Sequence, residues 1–287
     1  MTLIRRIIIL SIIILVLVSG CTLYPSSETS MPVPIPTLIP TIPNIPSVTA
    51  SICHETHGRY EFHQLQTRHM THPLEFRVFL PPCYGNDVDK KYPVLYWLHG
   101  QSYNDDQWDR LGADETLEAL IASGEVMPFI IVMPKESNYM IDQWQSKYGQ
   151  ALAEELVPWV ELHYAICAQR ACRAIGGLSR GAGWAMRIGL IYWQTFGAIG
   201  AHSLAPFRGD FNQAAVWINK IPAGQFPRIW IDAGDRDFIK DAARSFKNRL
   251  DEYAVPNEWH VFPGSHTEKY WAEHVIDYLK WYASAWE

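Results

Sequence analysis

From residue 90 onward, short apolar runs alternate with stretches whose apolar residues recur every three or four positions. PVLYWL at 93–98, PFIIVM at 128–133, RAIGGL at 173–178, FGAIGA at 196–201, RIWIDA at 228–233 and EWHVF at 258–262 each read as a strand. Runs this short and this continuously apolar predict strands buried on both faces. Between and after them, 113–124, 148–164, 180–193, 237–253 and 268–284 carry helical periodicity. In 148–164, for example, Leu152, Leu156, Trp159, Val160 and His163 fall on one face. Strand and helix in alternation predict an α/β architecture: a mostly parallel sheet covered by helices on both faces. Upstream, 59–66 and 74–81 read as a hairpin that adds antiparallel strands at one edge. No repeat and no second domain is visible. About two dozen residues separate the strand ending at Ala201 from the one starting at Arg228, enough for one short helix at 210–220 and no large cap.

The first fifty residues follow other rules. Arg5 and Arg6 precede an apolar run from Ile7 to Val18, the charged and apolar regions of a secretory signal. Twelve residues are short for a membrane span. Val18-Ser19-Gly20-Cys21 resembles the bacterial lipobox, in which a Cys is lipidated and becomes the new N-terminus. An ordinary signal peptide or an uncleaved anchor is the alternative. Residues 1–20 are therefore expected to be a lipoprotein signal, with Cys21 as the lipid anchor. Residues 21–50 hold Pro32, Pro34, Pro36, Pro40, Pro43 and Pro46, and are expected to be an extended spacer. Residues 51–287 are expected to form the folded domain, outside the cytoplasm and tethered to a bacterial membrane.

Export changes the reading of cysteine. Cys53, Cys83, Cys167 and Cys172 remain beyond the signal, an even number in an oxidising compartment. The open end of the predicted hairpin brings Cys53 toward Cys83. Cys167 and Cys172 flank a short turn before a strand. Two disulfides are expected, and no metal site, because the paired C-x₂-C spacing is missing. A formal net charge of −6 without a basic run argues against a nucleic-acid partner.

The chemistry is concentrated beyond the strand C-termini, where open α/β sheets bind ligands. Gly177-Leu178-Ser179-Arg180-Gly181 fits G-x-S-x-G between a predicted strand and a predicted helix, the setting of a nucleophile elbow. A serine hydroxyl needs a base. In this fold the acid and then the histidine follow the serine in chain order. The loop after 228–233 offers Asp235 and Asp237, and the loop after 258–262 offers His266. Two backbone N–H groups should receive the oxyanion: that of Arg180, and one from His99-Gly100-Gln101, with Gln101 the choice. His99 and His202 end strands near this site and are expected to line it. Trp108, Trp144 and Trp184 are expected to offer stacking surfaces for sugar or phenolic rings, with core packing of each as the alternative. His54, His57, His63, His69 and His72 precede any catalytic loop and are read as surface residues. His260 and His274 are read as structural.

These stretches resemble the esterase family of α/β-hydrolases that includes esterase D, feruloyl esterases, enterochelin esterases and mycolyltransferases. The resemblance rests on VFLPPCYG at 78–85, YPVLYWLHG at 92–100, IGGLSRGAGWA at 175–185, DAGDRDF at 232–238 and PGSHTEKYW at 263–271. It implies an α/β-hydrolase fold and a Ser179–Asp237–His266 triad, since the family's acid follows a Gly-x-x-Asp pattern. It also supports Gln101 as an oxyanion donor, because the family uses the residue after the His-Gly pair. Ala182 departs from the second glycine many members carry after the elbow. The expected activity is cofactor-free hydrolysis of short-chain or polymer-attached esters through an acyl-enzyme. Acyl transfer on the same intermediate, or a surface binding protein that has lost activity, are the alternatives.

Overall fold

The computed structural model describes residues 53–286. The expected signal, Cys21 and the expected spacer over 21–50 lie outside the described residues. Eight strands form one sheet in the order β1-β2-β4-β3-β5-β6-β7-β8. Here β1 is Arg59–Leu65, β2 Leu74–Leu80, β3 Val94–Leu98, β4 Ile130–Pro134, β5 Arg173–Leu178, β6 Ala198–His202, β7 Arg228–Gly234 and β8 Glu258–Phe262. β1 pairs antiparallel with β2, and β2 antiparallel with β4. Every other pairing is parallel.

Why the central strands are apolar at successive positions follows from how they are covered. Along β3, Val94, Tyr96 and Leu98 enter one core cluster, while Leu95 and Trp97 enter the other. Alternate side chains point to opposite faces, and both faces are dry. One face carries α3 (Tyr148–Ala151), a π-helical turn at Leu152–Leu156, α4 (Val157–His163), α5 (Arg180–Ile191), α6 (Asp210–Ile218) and α7 (Lys240–Glu252), which supply Leu152, Val157, Trp184, Trp217 and Phe246. The other carries α2 (Ala113–Ala122) and α8 (Glu268–Ala283), with Leu117, Tyr278 and Trp281. The helix expected over 148–164 runs from Tyr148 to His163, with a π-helical turn inside it. A single-turn helix, α1 (Gln107–Arg110), is too short to leave a periodic signature. No helix among the described residues is long and apolar enough to cross a membrane.

Beneath the C-terminal ends of β6 and β7 lies a wholly buried polar cluster. Asp232 Oδ2 accepts from His202 Nδ1 at 2.8 Å and from Trp230 Nε1 at 2.7 Å. Its Oδ1 accepts from the Tyr270 hydroxyl at 2.7 Å and the Tyr278 hydroxyl at 3.1 Å. His202 Nε2 accepts from the Tyr282 hydroxyl at 3.1 Å. A buried carboxylate is tolerable only when its lone pairs are met, and here four donors meet them. Three of the five partners sit on α8, so the cluster fastens that helix to the sheet. Tyr282 reaches in because Gly176 and Gly200 leave its hydroxyl room; a Cβ on either would overlap it.

Both expected disulfides are present: Cys53–Cys83 closes a separation of 30 residues, and Cys167–Cys172 one of 5. Glu55 lies against the first, but the sulfurs beside it are bonded to each other and offer no thiolate to a metal. Loop-closure entropy gives about 3–4 kcal/mol for the longer link and about 2 kcal/mol for the shorter. Replacing Cys53 and Cys83 together by Ala should therefore lower the urea midpoint more than replacing Cys167 and Cys172. Equal shifts would contradict this account.

Candidate active site

Ser179 stands between the end of β5 and the first residue of α5, at φ 54° and ψ −116°. That conformation is sparsely populated for a residue with a side chain and costs roughly 1–3 kcal/mol. Local bonds hold it: Ser179 N–H donates to His202 O at 2.8 Å, and Gly183 N–H donates to Ser179 O at 3.1 Å. The glycines of the motif are required by contact. A Cβ on Gly177 would lie 2.5 Å from the Gly181 carbonyl carbon, and one on Gly181 would lie 2.5 Å from the carbonyl oxygens of Leu98 and His99.

The loops after β7 and β8 bring two side chains to this serine. His266 Nε2 lies 2.8 Å from Ser179 Oγ. His266 Nδ1 lies 3.0 Å from both Asp237 oxygens. A carboxylate at Nδ1 selects the tautomer with the proton there, which leaves Nε2 free to accept the serine proton. Burial alone would raise the Asp237 carboxyl, but hydrogen bonds from His266, the Ile239 N–H and Ser203 hold it below the usual range. Trp271 meets the imidazole edge-on at 5.0 Å, and Phe238 lies 4.6 Å from it. Asp235 does a different job. Its Oδ1 accepts from Gly264 N–H at 2.8 Å, which fastens the acid loop to the histidine loop. Of the two carboxylates the sequence offers, the structure brings Asp237 to His266.

Two backbone donors lie beside the serine, one next to it in the chain and one in the loop that shares its cleft. Arg180 is the first residue of α5, and its N–H has no intrahelical acceptor. Gly100 N–H is taken by Gln107 Oε1 at 2.8 Å, whereas the N–H of Gln101 has no acceptor among the described residues. Ser179 and His266 open onto a cleft of about 350 Å³ that Gln101, Tyr103, Phe238 and Trp271 also line. Between β6 and β7 the chain builds only α6, and Phe238 stands 79% exposed at the rim.

Five residues expected at the site do not line it. His99 is buried and both ring nitrogens are engaged, Nδ1 with Gly100 O at 2.7 Å and Nε2 with Glu136 N–H at 2.8 Å. His202 is held in the Asp232 cluster with no exposed surface. Trp108 is buried, stacked on Trp97 at 3.7 Å, and donates its N–H to Leu98 O. Trp184 is buried between Tyr148 and Phe207. In each case the side chain is buried among its partners and does not open onto the cleft. Trp144 is exposed, but it lines a separate depression with Gln150, Arg187 and Tyr192. His63, read as a surface residue, is half-buried against Phe76 and bonded to the Tyr164 hydroxyl at 2.7 Å. Sequence reasoning missed Phe238, Tyr103 and Trp271. Phe238 carried the clearest signal, adjoining the acid in a loop after a strand.

Residues 67–282 match the family model Esterase, described as "Putative esterase". Esterase Rv1288 of Mycobacterium tuberculosis is 24% identical over 265 residues, covering 74% of this chain and 56% of that protein. The chain thus spans about half the length of that relative. The acetyl esterase of Caldicellulosiruptor saccharolyticus is 23% identical over 239 residues, covering 69% of this chain and 86% of that protein. A solved ferulic acid esterase superposes with a TM-score of 0.70 at 26% identity, covering 80% of this chain and 99% of that one.

The two carboxylates should separate in a rate assay. Asp237→Asn is expected to lower kcat by about 10⁴-fold, the usual loss when the orienting carboxylate goes. Asp235→Asn is expected to lose far less, since only a loop clamp is weakened. Similar losses in both would refute the division of labour. Because Asp237 titrates below its ordinary value when folded, it stabilises the fold at neutral pH, and that contribution fades as pH falls through the folded pKa. The stability gap between wild type and Asp237→Asn, read from urea midpoints, should accordingly close in acid.

Proposed function

The chain belongs to this esterase family of α/β-hydrolases, and on that premise we propose that it hydrolyses carboxylic esters through an acyl-enzyme on Ser179. The observation that carries the reading is the unbroken line of hydrogen bonds from Ser179 Oγ through His266 to Asp237. As Ser179 Oγ attacks the ester carbonyl, its proton passes to His266 Nε2. The carbonyl oxygen gains negative charge between the N–H groups of Gln101 and Arg180. Donors fixed in advance at that point stabilise the transition state more than the substrate, which is what raises kcat. Asp237 stabilises the imidazolium and keeps it aligned. The proton then goes to the departing alcohol, and a water activated by the same imidazole releases the acid.

The open cleft supports short-chain or polymer-attached esters over long lipids. A long acyl chain needs a deep apolar tunnel, and α6 alone does not build one between β6 and β7. Phe238 and Tyr103 flank the cleft with aromatic surface, which suits phenolic acyl groups or sugar rings. Similarity to ferulic acid esterase and acetyl esterase favours the same substrates. Two disulfides fit an oxidising compartment. With the Val18–Cys21 motif, they support an exported enzyme anchored through a lipid on Cys21, facing polymers that do not enter the cell.

Ser179→Ala is expected to abolish turnover of an aryl acetate while leaving the circular dichroism spectrum unchanged, since alanine removes only the hydroxyl. Residual activity near wild type would refute the mechanism. Across acetyl to palmitoyl esters, kcat/KM is expected to fall beyond the short chains. A steady rise toward palmitoyl would refute the substrate class.

A further inference from the structure

The two oxyanion donors come from different parts of the chain: Gln101 from the loop after β3, Arg180 from the start of α5. A tetrahedral oxyanion needs both N–H groups about 3 Å away at once, so their separation must be fixed before substrate arrives. Backbone packing at Gly181 fixes part of it. A chain of side-chain bonds spans the rest. His99 Nδ1 donates to the carbonyl of Gly100, immediately before Gln101, at 2.7 Å. His99 Nε2 accepts the N–H of Glu136 at 2.8 Å. The Glu136 carboxylate then grips Arg180 through two parallel bonds, Oε2 from Nε and Oε1 from Nη2, each 2.7 Å. The Arg180 guanidinium rests 5.0 Å from the centroid of the Phe207 ring.

These groups are not solvated surface. Glu136 and His99 are buried, and the Arg180 side chain is 11% exposed. Burying a charge pair is costly and gives little net stability, so a bidentate pair at this position calls for another reason than the fold. The histidine adds a second constraint. Each ring nitrogen has one role, a donor at Nδ1 and an acceptor at Nε2, which only the neutral ring satisfies. Burial lowers the His99 pKa and keeps the ring in that form.

We infer that His99, Glu136 and the Arg180 guanidinium are positioning residues that tie the two halves of the oxyanion hole together across β3, β4 and β5. The inference rests on the proposed acyl-enzyme mechanism. Neither His99 nor Glu136 touches substrate; they act through the Gln101 and Arg180 N–H groups. The site therefore has two separate hydrogen-bonded lines. One runs from Ser179 to Asp237 and moves a proton. The other runs from Gly100 to Arg180 and moves nothing.

The test uses substitutions that each break one link. His99→Asn offers a donor near the Nδ1 position but no acceptor for Glu136 N–H. His99→Gln offers the acceptor but no donor for Gly100. Glu136→Gln removes the charge, and the double variant Glu136→Gln/Arg180→Met removes the pair together, so no buried charge is left unpaired. The readouts are kcat and KM on p-nitrophenyl acetate, the inhibition constant of phenylboronic acid, and the melting temperature. Phenylboronic acid forms a tetrahedral adduct on the serine and reports the oxyanion site directly. Loss of an oxyanion donor costs about 10²–10³-fold; displacement should cost less, about 10- to 100-fold in kcat. KM should stay within about two-fold, and the phenylboronic acid constant should rise by the factor that kcat/KM falls. Wild-type kcat in folded variants would overturn the tie. A raised KM with unchanged kcat would also overturn it and make the Glu136–Arg180 pair a substrate contact. Ser179→Ala run alongside separates the two ideas. Activity in that variant refutes the acyl-enzyme reading, whereas an inactive Ser179→Ala beside fully active tie variants refutes the tie alone.

Discussion

The site depends on how closely the end of β3 can approach the start of α5. Leu98 pairs with Gly177 in the parallel ladder, and Gly181 sits against the carbonyls of Leu98 and His99 with no space for a side chain. That contact brings the His99–Gln101 loop beside the serine. It also forces the chain to turn within one residue, which places Ser179 in a conformation that a serine otherwise avoids. The strain persists because neighbours on every side determine it: the ladder before it, the helix after it, and the His202 carbonyl beneath it. Any residue larger than glycine at 177 or 181 would open the gap, and the serine, the donors and the histidine would lose their common focus.

A second constraint works from below. The Asp232 cluster couples β6, β7 and α8 through a single carboxylate; the loop that delivers Asp237 leaves β7, and the loop that delivers His266 runs from β8 into α8. Asp235 then joins the loops to each other. The imidazole is thus held by a small rigid frame whose parts are far apart in sequence. A frame of this kind matters because misplacement by about 1 Å can cost about 10²-fold in rate.

Much of this was legible in the sequence because the information is periodic or local. Runs such as VLYWL and IIVMP announce strands covered on both faces, and the helices between them fix a parallel order. Gly177, Ser179 and Gly181 announce a turn that few other contexts require. What periodicity does not reveal is which side of the sheet edge a residue faces once its strand has ended. His99, His202, Trp108 and Trp184 all fall near the site's segments in sequence, yet each is buried among other partners. The distinction lies in partners 30 or more residues away for His202 and Glu136, such as Asp232 and His99. Glu136 could have been noticed as an acidic residue two positions after a buried strand. Its partner, Arg180, lies inside the G-x-S-x-G motif, but at a position the motif leaves open, so nothing in the motif announces an ion pair. Asp235 and Asp237 differ in role for the same reason: the chain offers both carboxylates, and only the fold decides which one meets the imidazole.

The Cys53–Cys83 link has a mechanical side. β1 and β2 lie wholly within the loop it closes. A pull on the chain ahead of Cys53 passes through the sulfurs to Cys83 and on toward β3, so the hairpin carries none of the load. Without the link, the same pull would peel β1 from β2 one hydrogen-bonded pair at a time, the geometry in which a strand resists least. The covalent bond moves the point of attachment from the edge of the sheet to its interior, next to the strands that hold the serine in place.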